Sequence, residues 1–140
     1  MYSVLVFLAG IACAVAGLGG GIFEMSKEEI SKAQDLMTGV DMAVDQLNEK
    51  NNRRENKMRL VAESIVRASR QVVSGTLYRV EIRMVSSVCK NTDANSNKKI
   101  TDCPADNSGV SRRCKFTIWS RPWVNEKKQI LIRGIHCSQN

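Results

Sequence analysis

Two runs with frequent alternation of apolar and polar residues, Arg59–Arg70 and Thr76–Cys89, follow one another with only the pentapeptide Gln71-Val72-Val73-Ser74-Gly75 between them. Together they are rich in Val, Ile, Leu and Tyr, side chains that fit a pleated, half-buried surface. The pentapeptide is therefore expected at the tip of a long antiparallel hairpin, where Gly75 frees the backbone. Within the second run Tyr78, Val80, Ile82 and Met84 alternate with Leu77, Arg79, Glu81 and Arg83. One face of such a hairpin must be covered and the other can meet solvent.

The cover comes from the segment before it. Between Ser26 and about Asn48 the apolar residues Ile30, Ala33, Met37, Val40, Val44 and Leu47 recur at intervals of three and four, the period of one helical face. Ser26 followed by Glu29 forms a capping-box pattern at its start. Gly39 costs helicity in mid-element, which close packing on a sheet would explain, and Met37 is read as core. Lys50 to Asn56 is polar and aperiodic, a loop into the first long strand. Asn91 to Arg112 is polar, contains Pro104 and Gly109, and reads as a long irregular insertion. Two further strands are expected at Cys114–Ser120 and Gln129–Cys137, joined by a turn around Pro122-Trp123. One long helix laid across a twisted antiparallel sheet of about five strands is the α+β solution for this order.

Residues Met1 to Ala16 carry no charged side chain and close on Ala14-Val15-Ala16, the pattern of a secretory signal peptide cleaved after Ala16. The leading Met1-Tyr2-Ser3 has no Lys or Arg, but the apolar run is too short to span a bilayer comfortably, which argues against a membrane anchor. Residues 17–140 then form one domain. The leader removes Cys13 and leaves Cys89, Cys103, Cys114 and Cys137. An even set in a secreted chain is expected to oxidise, and four cysteines allow three connectivities. The short intervals favour Cys89–Cys103 with Cys114–Cys137. A zinc site is the alternative, but no Cys-x-x-Cys occurs and the single histidine, His136, adjoins Cys137, so no metal is expected.

The glycine run at the start of the mature chain, Gln71-x-Val73-x-Gly75 on a hairpin, Pro122-Trp123 on a later turn and the four downstream cysteines together resemble the cystatins, in particular the secreted type 2 members. That family has one helix across an antiparallel sheet, and its type 2 pattern of disulfides is the pairing that the intervals favour here. The resemblance implies an inhibitor of papain-like cysteine proteases such as cathepsins, acting reversibly and without a covalent bond, with no catalytic residue and no cofactor. The protease-binding set it implies is Gly20 in the N-terminal strip, Gln71, Val72, Val73, Ser74 and Gly75 at the first hairpin, and Pro122 with Trp123 at the second. The strip departs from the family's usual form: if Gly20 is the marked glycine, Gly19 stands where an apolar residue is customary, and the alternative alignment uses Leu18 before Gly19. Asn52, in the loop after the helix, is the candidate for a separate legumain-binding site. The expected state is a monomer, with exchange of helix and first strand between two copies as the alternative.

The net charge of +7 can attract polyanions over long range or serve solubility alone. Its lysines and arginines are scattered along the chain among acids, as at Arg112-Arg113 and Lys127-Lys128, and the few aromatics do not interleave with them as a nucleic-acid platform requires. A nucleic-acid platform is not expected, nor a membrane-binding helix. The rival readings are a cystatin-fold binding or host-defence module without protease inhibition and, last, an enzyme built on Cys137 and His136. Neighbours on a strand point to opposite faces, which argues against that dyad.

Overall fold

The structure, a computed structural model, describes residues 20–51, 58–107 and 109–139. The expected signal peptide and Asn52 lie outside them. In chain order the elements are β1 (Ile22–Glu24), α1 (Lys27–Lys32), α2 (Gln34–Asn51), β2 (Met58–Val73), β3 (Gly75–Lys90), β4 (Ser111–Ser120) and β5 (Ile130–Gln139). The five strands form one antiparallel sheet in the order β1-β2-β3-β4-β5. The expected architecture is present: α2 lies across this sheet, and β2 and β3 are the two arms of the long hairpin.

The helical region is not one continuous helix. The Ser26 hydroxyl accepts from the Glu29 amide at 3.2 Å and Glu29 Oε2 accepts from the Ser26 amide at 2.8 Å, so the capping box starts α1 as its sequence implies. Ala33 then leaves the helical region at φ −83° and ψ 89°, and α2 begins again at Gln34. The sheet-facing stripe keeps its phase across the break, with Ile30 and Ala33 before α2 and Val40, Val44 and Leu47 within it all packed on the core. The face of α2 that meets the sheet carries Leu36, Val40, Ala43 and Val44, all buried, whereas Met37 is 36% exposed. The expectation of Met37 as core is corrected: it lies at the edge of that stripe, and its neighbour Leu36 takes the buried position.

Those helical residues pack on Ala68 of β2, Tyr78, Val80, Ile82 and Met84 of β3, and Cys114, Phe116 and Ile118 of β4. Gly39 lets the helix come close: a Cβ there would stand 2.6 Å from the Ile118 side chain. The helix is also tied by polar groups. Tyr78 reaches from β3 and donates its hydroxyl proton to Asp35 Oδ1 at 2.9 Å. At the other end Asn48, buried, donates to the Leu60 carbonyl and accepts from the Leu60 amide, both at 2.8 Å. Such a two-way amide clamp satisfies buried backbone that would otherwise be costly to leave unpaired.

The described residues between Lys90 and Ser111 are largely irregular, as their composition implies, with a short 3-10 turn at Asp93–Asn95. A second apolar cluster of Val61, Val85 and Cys103, flanked by Cys89, Ile100 and Ala105, anchors them to the hairpin. The disulfides are Cys89–Cys103 and Cys114–Cys137, so the interval argument chose the pairing the structure has. The second joins directly opposed residues of β4 and β5, and Cys137 therefore has no free thiol to pair with His136.

Truncating Leu36 to Ala should cost about 3 kcal/mol of unfolding free energy, whereas Met37→Ala should stay within about 1 kcal/mol. Urea denaturation of both variants reads which of the two faces the core, and equal losses would contradict that assignment. Burial, followed by the hydrogen bond to Asp35, pushes the Tyr78 hydroxyl up to about 12. Its contribution to stability is complete below the unfolded value of about 10 and is lost as pH rises toward the folded one. Tyr78 is the only tyrosine of residues 17–140, so the phenolate absorbance of that form should rise near pH 12 when folded and near about 10 in denaturant.

Candidate functional site

The narrow end of the sheet, where β2 turns into β3, gathers three separate stretches of chain. Ser74 alone separates the two strands of the hairpin, with Val73 paired to Gly75. Gly75 has φ +88°, and a Cβ on it would run into the Ser120 carbonyl and come within 3.1 Å of the Trp123 ring. Glycine is thus required twice, by a backbone conformation that L side chains rarely adopt and by the approach of the second hairpin. Ser120 ends β4, and the turn that follows carries Pro122 and Trp123.

The same end receives the N-terminal strip. Ile22 of β1 pairs with Gln71 of β2, which lays Gly20 against Val72 so closely that a Cβ would collide with the Val72 carbonyl. Gly20, Gln71 to Gly75, Pro122 and Trp123 are therefore neighbours in space, although about a hundred residues separate the first from the last. Asn52 is the one site candidate outside the described residues. The Asn48–Leu60 clamp that brackets its segment sits at the end of β2 away from the hairpin tip.

The tip is apolar and open. Val72 is 64% and Trp123 60% exposed, with Val73, Ile22 and Phe23 exposed as well. Such a concentration of uncovered apolar side chains marks a surface made to be covered. It is also held rigidly. The Trp119 indole N–H donates to the Ser74 carbonyl at 2.8 Å, joining β4 to the tip. Both terminal nitrogens of Arg79 donate to Gln71 Oε1 at 3.1 Å, so the Gln71 amide is anchored by the neighbouring strand. In the second turn Gln129 Nε2 donates to the Pro122 carbonyl at 3.0 Å and the Arg121 amide to the Gln129 carbonyl at 2.8 Å.

Trp119 and Arg79 are contributors that motif reading passes over. Their signal lies in alternation: with Phe116 and Ile118 facing the core, Trp119 must stand on the solvent side, where a large aromatic with an N–H needs a partner. Among the described residues the edge has no catalytic pairing of acid and base and no thiol. Among the described residues no cluster of His, Cys, Asp and Glu could hold a metal ion. What it offers is a preformed, mainly apolar ridge of three backbone segments.

Comparison with known proteins places this architecture. The family model for the cystatin domain matches residues 24–123, a span that includes both hairpin motifs and ends on Trp123. Cystatin J of Cyanea capillata is 32% identical over 131 residues, covering 94% of this chain and 93% of that protein. Cystatin-C of Paralichthys olivaceus is 36% identical over 121 residues, 86% of this chain and 90% of the relative. Among solved structures, dimeric human cystatin F superposes with a TM-score of 0.65 at 15% identity, over 96% of this chain and 98% of the other. The salivary cystatin of the soft tick Ornithodoros moubata gives 0.61 at 18% identity, over 86% and 98%. By domain match, by identity along most of its length and by fold, the chain belongs to the cystatin family.

Proposed function

We propose that the protein is a secreted, reversible and non-covalent inhibitor of papain-like cysteine proteases of the cathepsin type. The observation that carries this reading is the convergence of Gly20, the Gln71–Gly75 tip and Pro122-Trp123 on one exposed edge. Family membership supports it. In this reading residues 1–16 direct export and are removed, and residues 17–140 are the inhibitor. Two disulfides suit an oxidising compartment.

The edge acts as a ridge that fills the substrate cleft. Val72 and Val73 bury apolar surface, and Trp123 supplies the largest single patch, a rigid aromatic suited to a hot spot. Gly75 brings the two loops to one height. Because the Ser74 carbonyl is already held by Trp119, the tip loses little freedom on docking, and preorganisation of this kind raises affinity without new contacts. It also resists the deformation that would bring a carbonyl onto the protease thiol, so the cleft is occupied and turnover does not follow. Gly20 contributes backbone rather than a side chain, and the N-terminal strip adds correspondingly less.

Titration of papain with the oxidised 17–140 form, followed with a fluorogenic substrate, should give stoichiometric and reversible loss of activity. Trp123→Ala should weaken binding about 30-fold and Gly75→Arg about 100-fold or more, with far-ultraviolet circular dichroism unchanged. Absence of inhibition by demonstrably folded wild-type protein would overturn the proposal.

A further inference from the structure

The sheet has a second face, turned away from α2, and its composition is not that of a plain solvent surface. Cations spaced far apart in sequence fall on it because β-strand alternation and cross-strand register bring them there. Arg79 and Arg83 come from β3, Arg113 and Lys115 from β4, and Arg67 and Arg133 from β2 and β5. Three are balanced by carboxylates: Arg67 by Glu24 at 3.1 Å, Arg113 by Glu81 at 3.3 Å and Arg83 by Glu63 at 3.6 Å.

Arg79, Lys115 and Arg133 are not. Among the described residues no acid lies within ion-pair distance of any of them, and all three are exposed. They surround Thr117: Arg79 stands opposite it on β3, Arg133 opposite it on β5, and Lys115 two residues along β4. A shallow groove of about 510 Å³ runs from Ile22 and Glu24 on β1 to Gly134 on β5, lined by Arg79, Lys115 and Thr117 together with Glu81, and Arg133 stands beside its β5 end next to Gly134. Gly134 has φ +64°, and a Cβ there would meet nothing within 4 Å, so the groove is open at that end.

We propose that this face binds a sulfated polysaccharide, with Arg79, Lys115 and Arg133 as its sulfate-contacting residues. Guanidinium and ammonium groups held at fixed spacing on a rigid sheet match anionic ester oxygens displayed along an extended, hydrophilic chain. The net charge of +7 adds long-range attraction. Nucleic acid fits less well. Trp119, the large aromatic of this face, lies outside the groove and has the Arg121 and Arg133 guanidiniums 4.6 and 5.5 Å from its ring centre, and among the described residues the one aromatic lining the groove, Phe116, is buried, so bases find no stacking platform. The proposal does not depend on protease inhibition: Lys115 and Arg133 lie off the exposed edge, and Arg79 touches it only through the Gln71 amide oxygen.

Calorimetric titration of the oxidised protein with a short heparin oligosaccharide, in low and in physiological salt, tests it. Lys115→Glu combined with Arg133→Glu should weaken binding at least about tenfold, while the same charge change at Lys27→Glu with Lys127→Glu should have a much smaller effect. Arg79→Ser is a milder variant that should also weaken binding and keeps the test valid if the double reversal impairs folding. No heparin binding by the native protein, or equal losses in the two double variants, would overturn the proposal. Equally tight binding of duplex DNA at the same salt would overturn its assignment to a sulfated glycan.

Discussion

The contact between Gly75 and the second hairpin is what turns two ordinary loops into one surface. The Ser120 carbonyl and the Trp123 ring occupy the space that a side chain on residue 75 would need, and only a residue tolerant of φ +88° can turn the chain there. The Trp119–Ser74 hydrogen bond fixes the same junction from the other side. With the tip seated, β1 can run alongside β2 and deliver Gly20 to Val72. The height and spacing of all three segments thus follow from a few atoms at the end of one hairpin.

The remainder of the molecule keeps that end still. α2 covers the sheet through Leu36, Val40, Ala43 and Val44, and polar ties at Tyr78–Asp35 and Asn48–Leu60 fix its two ends. Arg59, buried, links the helix to the insertion by donating to Asp45 Oδ1 at 2.8 Å and to the Lys98 carbonyl at 2.9 Å. One disulfide holds the insertion to β3, and the other joins β4 to β5 away from the tip. Covalent and buried constraints are concentrated away from the exposed edge, which keeps its apolar residues free to meet a partner. The opposite sheet face divides differently, into balanced and unbalanced cations, and is a polar surface next to an apolar ridge.

Much of this was legible from residue order because it depends on local pattern. Alternation located the long hairpin, Ser26 with Glu29 marked the helix start, and short intervals paired the cysteines. Gly39 was readable as a close approach, and Ile118 is what it approaches. The break at Ala33 was not, since its spacing suits a helix and only the fold makes the chain turn there. Nor does apolar spacing tell Met37 from its neighbour Leu36, which takes the buried position. The roles of Trp119 and Arg79 depend on which residue stands across from which, and composition carries no register. The same holds for the cations around Thr117, which look scattered along the chain and become neighbours only when three strands align.

Hydrogen–deuterium exchange of the protein, free and saturated with papain, tests the central claim most directly. The account predicts new protection at Gln71 to Gly75 and at Arg121 to Val124, with a smaller effect around Gly20 and none at α2 or along the open sheet face. Protection confined to α2 or to the open sheet face, with the hairpin tips unchanged, would contradict it.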